Sequence, residues 1–394
     1  MRYFLWLGAT GFGGPIATVG YMQRDLVEHH RWVSRDDFLD GVALGQAMPG
    51  PLAAQVTMWV GYLARGALGA LAVAVAFILP SFVVVLGLAV VYSRSEGLAW
   101  VQAVFHGIAP GVMAIIALAA VKLARLTNGR DARLWAITGV LAAVTAATGA
   151  EIAVLFLAGG MLILAWEAVP ASRRRPPGAV VLLPLAPLAP LAQAAAATGA
   201  SAEVLVALGL FFLKAGAFIF GSGLAIVPFL REGVVEERGW LTESQFLDAV
   251  AMGLITPGPV VITATFIGYL VAGWWGAAVA TVAIFLPIYL GVVVPGPWFV
   301  RHRGAPWLRA FVKGATAAAA GALAGAWFVL TREALTNIPP GRVRLTVELT
   351  DAVALDVPAV LIFLASLVVL WRWKLREPLV VLACGLVGLA LYGG

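Results

Sequence analysis

The 394-residue chain has one cysteine, Cys384, and only 12% charged residues. A single cysteine excludes a disulfide within the chain and any cysteine-built metal cage. Soluble domains carry roughly 25% charged residues, so this charge content excludes a water-soluble protein. No GxxxxGK[ST] phosphate loop occurs, which excludes direct drive by ATP, and no HExxH or His/Cys cluster points to a metal or other cofactor. The net charge of +6 sits in short Arg-rich connections. None of them forms a basic arm long enough to track phosphates, so a nucleic-acid partner is excluded too. The uncharged stretch 3–23 lacks a small-x-small cleavage site and is interrupted by Gly-Phe-Gly-Gly-Pro, so it reads as a retained first span and not as a signal peptide.

What the chain has in quantity is apolar sequence, at 62%. The 52 residues from 249 to 300 carry no charge, enough to cross a hydrocarbon core of about 30 Å twice. The fold class that follows is an all-α polytopic membrane protein. Internal similarity organises it. Phe4 to Pro15, Arg31 to Asp40 and Gln46 to Pro51 recur as Phe211 to Gly223, Gly239 to Asp248 and Leu254 to Pro259. Trp32 pairs with Trp240, Asp40 with Asp248 and Pro49 with Pro257 at an offset of 208. The offset then becomes 207 for Gly61-Tyr62 with Gly268-Tyr269, Leu79-Pro80 with Leu286-Pro287, and Gly107 with Gly314. The expected division is a first repeat at 1–170, a linker or linking span at 171–203 and a second repeat at 204–394.

Each repeat offers about six apolar segments, at 3–22, 38–63, 67–92, 99–121, 134–149 and 152–168, then 205–228, 246–271, 274–299, 307–330, 357–371 and 378–393. With the linker as a further crossing the chain has about thirteen spans, some of them broken, or two fewer where each PGP segment re-enters as a hairpin. The positive-inside rule then places 17 Lys and Arg inside and 7 outside, with Lys214 and Lys313 within spans. Without a crossing linker that bias vanishes, so the repeats read as inverted copies. The N-terminus is expected in the cytoplasm and the C-terminus in the periplasm.

Two proline-bracketed glycines, Pro49-Gly50-Pro51 and Pro257-Gly258-Pro259, fall inside apolar segments. Proline removes a backbone donor and clashes with the preceding turn, so these motifs break helices. The same holds for Gly13-Gly14-Pro15 and its counterpart Gly221-Ser222-Gly223. A packing kink explains one such motif; paired breaks in both copies point to a transport site. A half-helix starting after each break presents free N–H groups and a positive dipole end, which suit an anion. Gln55, Thr57, Thr263 and Thr265 follow the breaks, and Gln46 and Thr256 precede them, as candidate ligands or as helix-packing groups. Lys214, Lys313 and His106 lie within spans as candidate counter-charges, with lipid-surface snorkelling the alternative for the lysines. Asp40 and Asp248, near the starts of the segments that contain the breaks, read either as first-turn helix caps or as gating or proton-coupling groups.

With these paired FGGP and PGP motifs, the sequence resembles the chromate transporter family over essentially its whole length, in the long two-domain form. Phe12 to Pro15, Trp32, Gly45 to Pro51, Gly61-Tyr62 and Leu79 to Phe82 look like the first-domain signature. Gly221 to Gly223, Trp240, Ile255 to Pro259, Phe266 to Tyr269 and Phe285 to Pro287 look like the second. The resemblance implies export of chromate across the bacterial inner membrane, driven by membrane potential or proton gradient, with sulfate as the structural analogue. Partners are thus a small inorganic oxyanion and the bilayer, and a homodimer remains open. Sulfate or another small anion as cargo, and an uncoupled channel, are the alternatives. An intramembrane enzyme built on Ser222 and Lys214 is disfavoured, since eight residues place them about 12 Å apart on one helix.

Overall fold

The computed structural model describes residues 1–11, 14–95, 99–148, 153–168, 202–219, 226–298, 305–336, 346–350, 353–373 and 377–392. Residues 171–201 of the linker lie outside the described residues, as do Gly13, Gly221, Ser222 and Gly223. In hydrocarbon, backbone polar groups must be satisfied within each segment, and apolar runs accordingly become helices. In chain order these are α1 (Arg2–Thr10), α2 (Gly14–Met22), α3 (Arg35–Ala47), α4 (Leu52–Ser95), α5 (Ala99–Asn128), α6 (Ala132–Thr148), α7 (Ala153–Ala168), α8 (Ala202–Ala217), α9 (Val227–Arg231), α10 (Glu243–Ile255), α11 (Thr263–Val293), α12 (Pro306–Thr336), α13 (Val357–Trp373) and α14 (Glu377–Tyr392). Among the described residues, four stretches, Leu52–Ser95, Trp100–Asn128, Val260–Trp298 and Pro306–Thr336, are long and apolar enough to cross a membrane, and four shorter apolar helices accompany them. The protein is a helical, multi-pass membrane protein.

One feature departs from the all-α expectation. Strands β1 (Thr346–Thr350) and β2 (Val353–Asp356) pair antiparallel, with Thr346 opposite Asp356. Thr346-Val347-Glu348-Leu349-Thr350 alternates polar and apolar residues with period two, the strand pattern.

The segments expected as single broken spans instead fold back on themselves. Trp59 Nε1 donates to the Asp37 carbonyl at 2.9 Å, and a side chain on Gly41 would collide with the Trp59 ring. Positions before and after Pro49-Gly50-Pro51 therefore lie side by side, and α3 and residues 52–64 form an antiparallel helical hairpin with the PGP triplet at its tip. At about 1.5 Å per residue each 13-residue arm is roughly 20 Å long, short of a 30 Å core. The same reversal brings Gly253 against Thr263 around Pro257-Gly258-Pro259. It also brings Tyr3 to Asp25 around the FGGP turn, through a 3.2 Å hydrogen bond, and Phe211 to Phe229, with ring centroids 5.6 Å apart, across the second break.

A second sharp turn ends each PGP hairpin. Within α4, Arg65 (φ −149°, ψ 31°) and Gly66 (φ 60°, ψ −148°) leave helical geometry; 207 residues on, within α11, so do Ala272 (φ −145°, ψ 29°) and Gly273 (φ 59°, ψ −147°). Gly61 packs on Gly69 and Gly268 on Gly276, with no space for a β-carbon in either pair. The repetition extends to smaller details. The Leu26 carbonyl accepts from Trp32 and Val33 at 2.8 and 3.4 Å, and the Val234 carbonyl accepts from Trp240 and Leu241 at the same two distances.

The long helices of the two halves exchange partners. Gly107 and Gly111 of α5 pack against Gly388 and Cys384 of α14, while Gly314 of α12 packs against Gly159 of α7 and Gly321 against Thr138 of α6. Small residues allow this close backbone approach, the usual basis of helix association in lipid. α5 and α12 run antiparallel. Trp327, late in α12, donates to the Met113 carbonyl of α5 at 2.9 Å; Asn128, at the end of α5, reaches Ala317, early in α12, through Thr138.

Gly66 and Gly273 have open space around the β-carbon position, so strain alone opposes a side chain there. Each Gly→Ala substitution should cost about 1–3 kcal/mol, the range for a backbone forced into a glycine-only region. The measurement is the thermal midpoint of detergent-purified protein. An unchanged midpoint in both variants would mean that the turns relax freely.

Candidate functional site

The caps of the PGP hairpins are Ser34, whose Oγ accepts from the Asp37 amide at 3.1 Å, and Thr242, which forms a capping box with Gln245. Asp40 and Asp248 thus lie a turn deeper than first-turn caps would, and both are buried, at 8% and 6% exposure. The capping reading is replaced by a buried one. Asp248 accepts a 2.7 Å hydrogen bond from Tyr92 of α4, whose counterpart at offset 207 is Phe299, a residue with no hydroxyl.

The hairpin tips meet across the two halves. The Gly50 amide donates to the Ile219 carbonyl at 2.6 Å, and the Gly258 amide to the Gly11 carbonyl at 3.5 Å. The donors are 208 residues apart, and so are the acceptors. Gly50 (φ 138°) abuts Ile288 of the other half, and Gly258 (φ 101°) abuts Ser81, which itself donates to the Gly8 carbonyl at 3.3 Å. Each tip is thus held by the partner hairpin and by the residue after a helix proline, Pro80 or Pro287. Both tip glycines combine a positive φ with a β-carbon position already filled.

Pro49, Pro51, Pro257 and Pro259 frame these tips. Each tip brings together a helix C-terminus, with unpaired carbonyls, and a helix N-terminus, with unpaired amides. Gln55, fully buried, separates the two in the first half. Its Nε2 donates to the Met48 and Pro49 carbonyls at 3.3 and 2.8 Å and so satisfies two of the carbonyls freed at the end of α3. Its Oε1 has no partner among the described atoms. Helices start at Leu52 and Val260, just after the two tips, and a helix N-terminus is where an anion gains most.

The hydroxyls are occupied differently. Thr57 donates to the Ala53 carbonyl at 2.6 Å, Thr256 to Met252 at 2.9 Å and Thr263 to Val260 at 2.8 Å. Thr265 lies 2.6 Å from Thr281. Their protons are committed to helix geometry, and only their lone pairs remain. Gln46 lies in α3, and Gly14 and Pro15 open α2, but their side chains lie outside the described residues. The ionisable candidates are not gathered at the tips. Lys214 is exposed and sits over the Phe229 ring at 5.4 Å. Lys313 approaches Glu167 of α7 at 3.9 Å, and His106 pairs with Asp356 at 3.1 Å.

Sequence reasoning missed Ser81 and Ile288 as tip supports, although both follow the matched prolines at offset 207. It also missed the Gly11 and Ile219 carbonyls, which no side-chain pattern can flag.

Gly258→Ala should be more damaging to transport than Gly50→Ala. The added methyl meets the Ser81 hydroxyl on a packed helix in the first case and the movable Gln55 amide, at 2.9 Å, in the second. Transport assays normalised to purified protein would read this order, and a reversed order would discount Ser81 as the tip support.

No solved structure matches the chain significantly. The profile described as Chromate transporter matches residues 1–164 and 206–389. A protein named "Chromate transport protein" from Cupriavidus metallidurans is 47% identical over 394 residues, covering all of this chain and 92% of the relative. A "Probable chromate transport protein" from Synechococcus elongatus is 46% identical over 99% of this chain and 94% of the relative. A "Chromate transport protein" from Pseudomonas aeruginosa is 31% identical over 98% of this chain and 90% of the relative. With a family match on both halves and relatives alike over nearly their full length, this chain belongs to the chromate transporter family and is a membrane transporter, not an enzyme.

Proposed function

We propose that the protein is a secondary transporter that exports chromate, a tetrahedral oxyanion, across the bacterial inner membrane, driven by the membrane potential or a proton gradient. The observation that supports this reading is the reciprocal anchoring of the two PGP tips, each hydrogen-bonded to the first hairpin of the opposite half, with a helix starting after each tip. Chromate is a dianion with four oxygens, matched to N–H donors and positive dipole ends without a fixed cation. The names of the full-length relatives support chromate as the cargo. Sulfate has the same shape and charge and should compete.

The two halves, 1–170 and 204–394, act in this reading as inverted copies. Supporting it are the antiparallel course of α5 and α12 and the reciprocal tip contacts. Because four segments return as hairpins, the crossings are the four long helices, the four shorter ones and the linker 171–203, about nine in place of thirteen. Recounted for this layout, Lys and Arg divide 18 to 6, with the N-terminus on the rich, cytoplasmic side. Unlike the thirteen-span count, this bias survives almost unchanged without a crossing linker, so the inversion rests on helix direction.

Everted membrane vesicles should take up labelled chromate when a potential is imposed, and excess sulfate should reduce the rate. Reporter fusions should place the two termini on opposite sides. Uptake equal in vesicles with and without the protein would refute the transport reading, and a cytoplasmic C-terminus would refute the inversion.

A further inference from the structure

His106 stands apart from the tips in a cluster of its own. Its Nε2 lies 3.1 Å from Asp356 Oδ2, the same oxygen to which the Tyr392 hydroxyl donates at 2.7 Å. The imidazole packs edge-on against the Tyr392 ring at 4.6 Å. The Asp356 side chain is 3% exposed and that of His106 13%. The three residues come from α5 of the first half and from β2 and α14 of the second, so the cluster bridges the exchanged helices. Asp356 ends β2 immediately before α13.

The matched position in the other half has a different chemistry. His106 precedes Gly107 as Lys313 precedes Gly314, and both glycines pack against the terminal hairpin of the opposite half. Lys313 faces Glu167 there, with side chains 54% and 31% exposed. One scaffold thus holds a lysine–carboxylate pair that is open to its surroundings. The other holds a buried pair with an imidazole, the side chain that ordinarily changes charge between pH 5 and 8.

We propose that His106, Asp356 and Tyr392 form a proton-binding site that couples the pH gradient to transport, an inference that rests on the transporter reading above. A carboxylate only accepts, so Nε2 carries the hydrogen directed at Oδ2 and the incoming proton binds Nδ1. The cluster then passes from a net charge of −1 to zero. A buried unpaired charge is costly, so the proton-loaded state is the one that tolerates sealing from water.

The packed elements carry other ionisable groups: Arg309 and Lys313 lie at the start of α12, Arg372 lies at the far end of α13 from Asp356, and the side chain of Glu348 in β1 lies outside the described residues. Asp248 of α10 is held by Tyr92, and Cys384 of α14 lies 3.2 Å from Ser366. Lys122 and Glu377 lie at the opposite ends of α5 and α14. α12 ends near Arg332, which is exposed, and Glu333, whose side chain lies outside the described residues. A contact path leads from the cluster to the transport site. Phe105, next to His106, meets Tyr92 edge-on at 5.2 Å, and Tyr92 bonds Asp248 in the arm that ends at the second PGP tip.

The test compares two activities of one reconstituted protein. In liposomes, labelled chromate accumulation is driven by a pH gradient, and chromate-for-chromate exchange is measured without a gradient. One coupled proton over one pH unit supports about tenfold accumulation. His106→Gln and Asp356→Asn should abolish that accumulation and leave exchange intact, because exchange needs no net proton movement. Tyr392→Phe removes one hydroxyl and keeps the test decisive if either variant fails to fold. It weakens stabilisation of the anionic cluster, so the pH midpoint of driven uptake should rise while exchange is retained. Full driven accumulation in the variants, or a parallel loss of both activities in Tyr392→Phe, would overturn the assignment. Wild-type protein without exchange would instead sink the transporter reading.

Discussion

Hydrocarbon offers no hydrogen bonds, so a helix that breaks inside a membrane must find partners for its freed amides and carbonyls within the protein. The four breaks in this chain answer that demand mutually. The amide of each PGP glycine is taken by the carbonyl that ends the opposite half's first hairpin arm. Neither half can satisfy its own tip, and the interleaving of the two halves follows. So does the pairing of the tips, each PGP glycine lying within a hydrogen bond of the opposite half's first arm.

This arrangement separates two jobs that charged side chains perform together in water-exposed anion sites. In the proposed reading attraction comes from helix termini, which add no net charge to the membrane interior. Selective blocking of the opposing carbonyls falls to Gln55 in one half, where the other half has Thr263 at the same offset of 208. The centre is therefore built on a two-fold plan and finished asymmetrically. Tyr92 against Phe299, Ser81 against Ile288 and His106 against Lys313 continue the asymmetry.

Much of this plan was legible in the residues. The offsets of 208 and 207 give the repeat, and proline chemistry gives the breaks. What proline does not encode is the direction the chain takes after a break. A kinked span and a reversed hairpin need the same missing donors, and only contacts such as Trp59 with the Asp37 carbonyl decide between them. That is why 38–63 reads as one crossing in the sequence and as two arms in the fold. Thr57, Thr256 and Thr263 look like ligands because a hydroxyl in an apolar segment needs a partner, yet the carbonyl a turn back supplies one locally. His106 was visible as an intramembrane titratable group, but its partner Asp356 lies 250 residues away at the end of a short strand that hydropathy passes over.

The exchange of long helices sets an order on biogenesis. The glycine face of α5 is complementary to α14, which is made about 250 residues later, so during synthesis that face waits against lipid or an insertion factor. α12 has no such delay, because α6 and α7 precede it. Assembly of the second bundle can therefore complete while the first is still open, and the arrival of α14 closes the first bundle over His106.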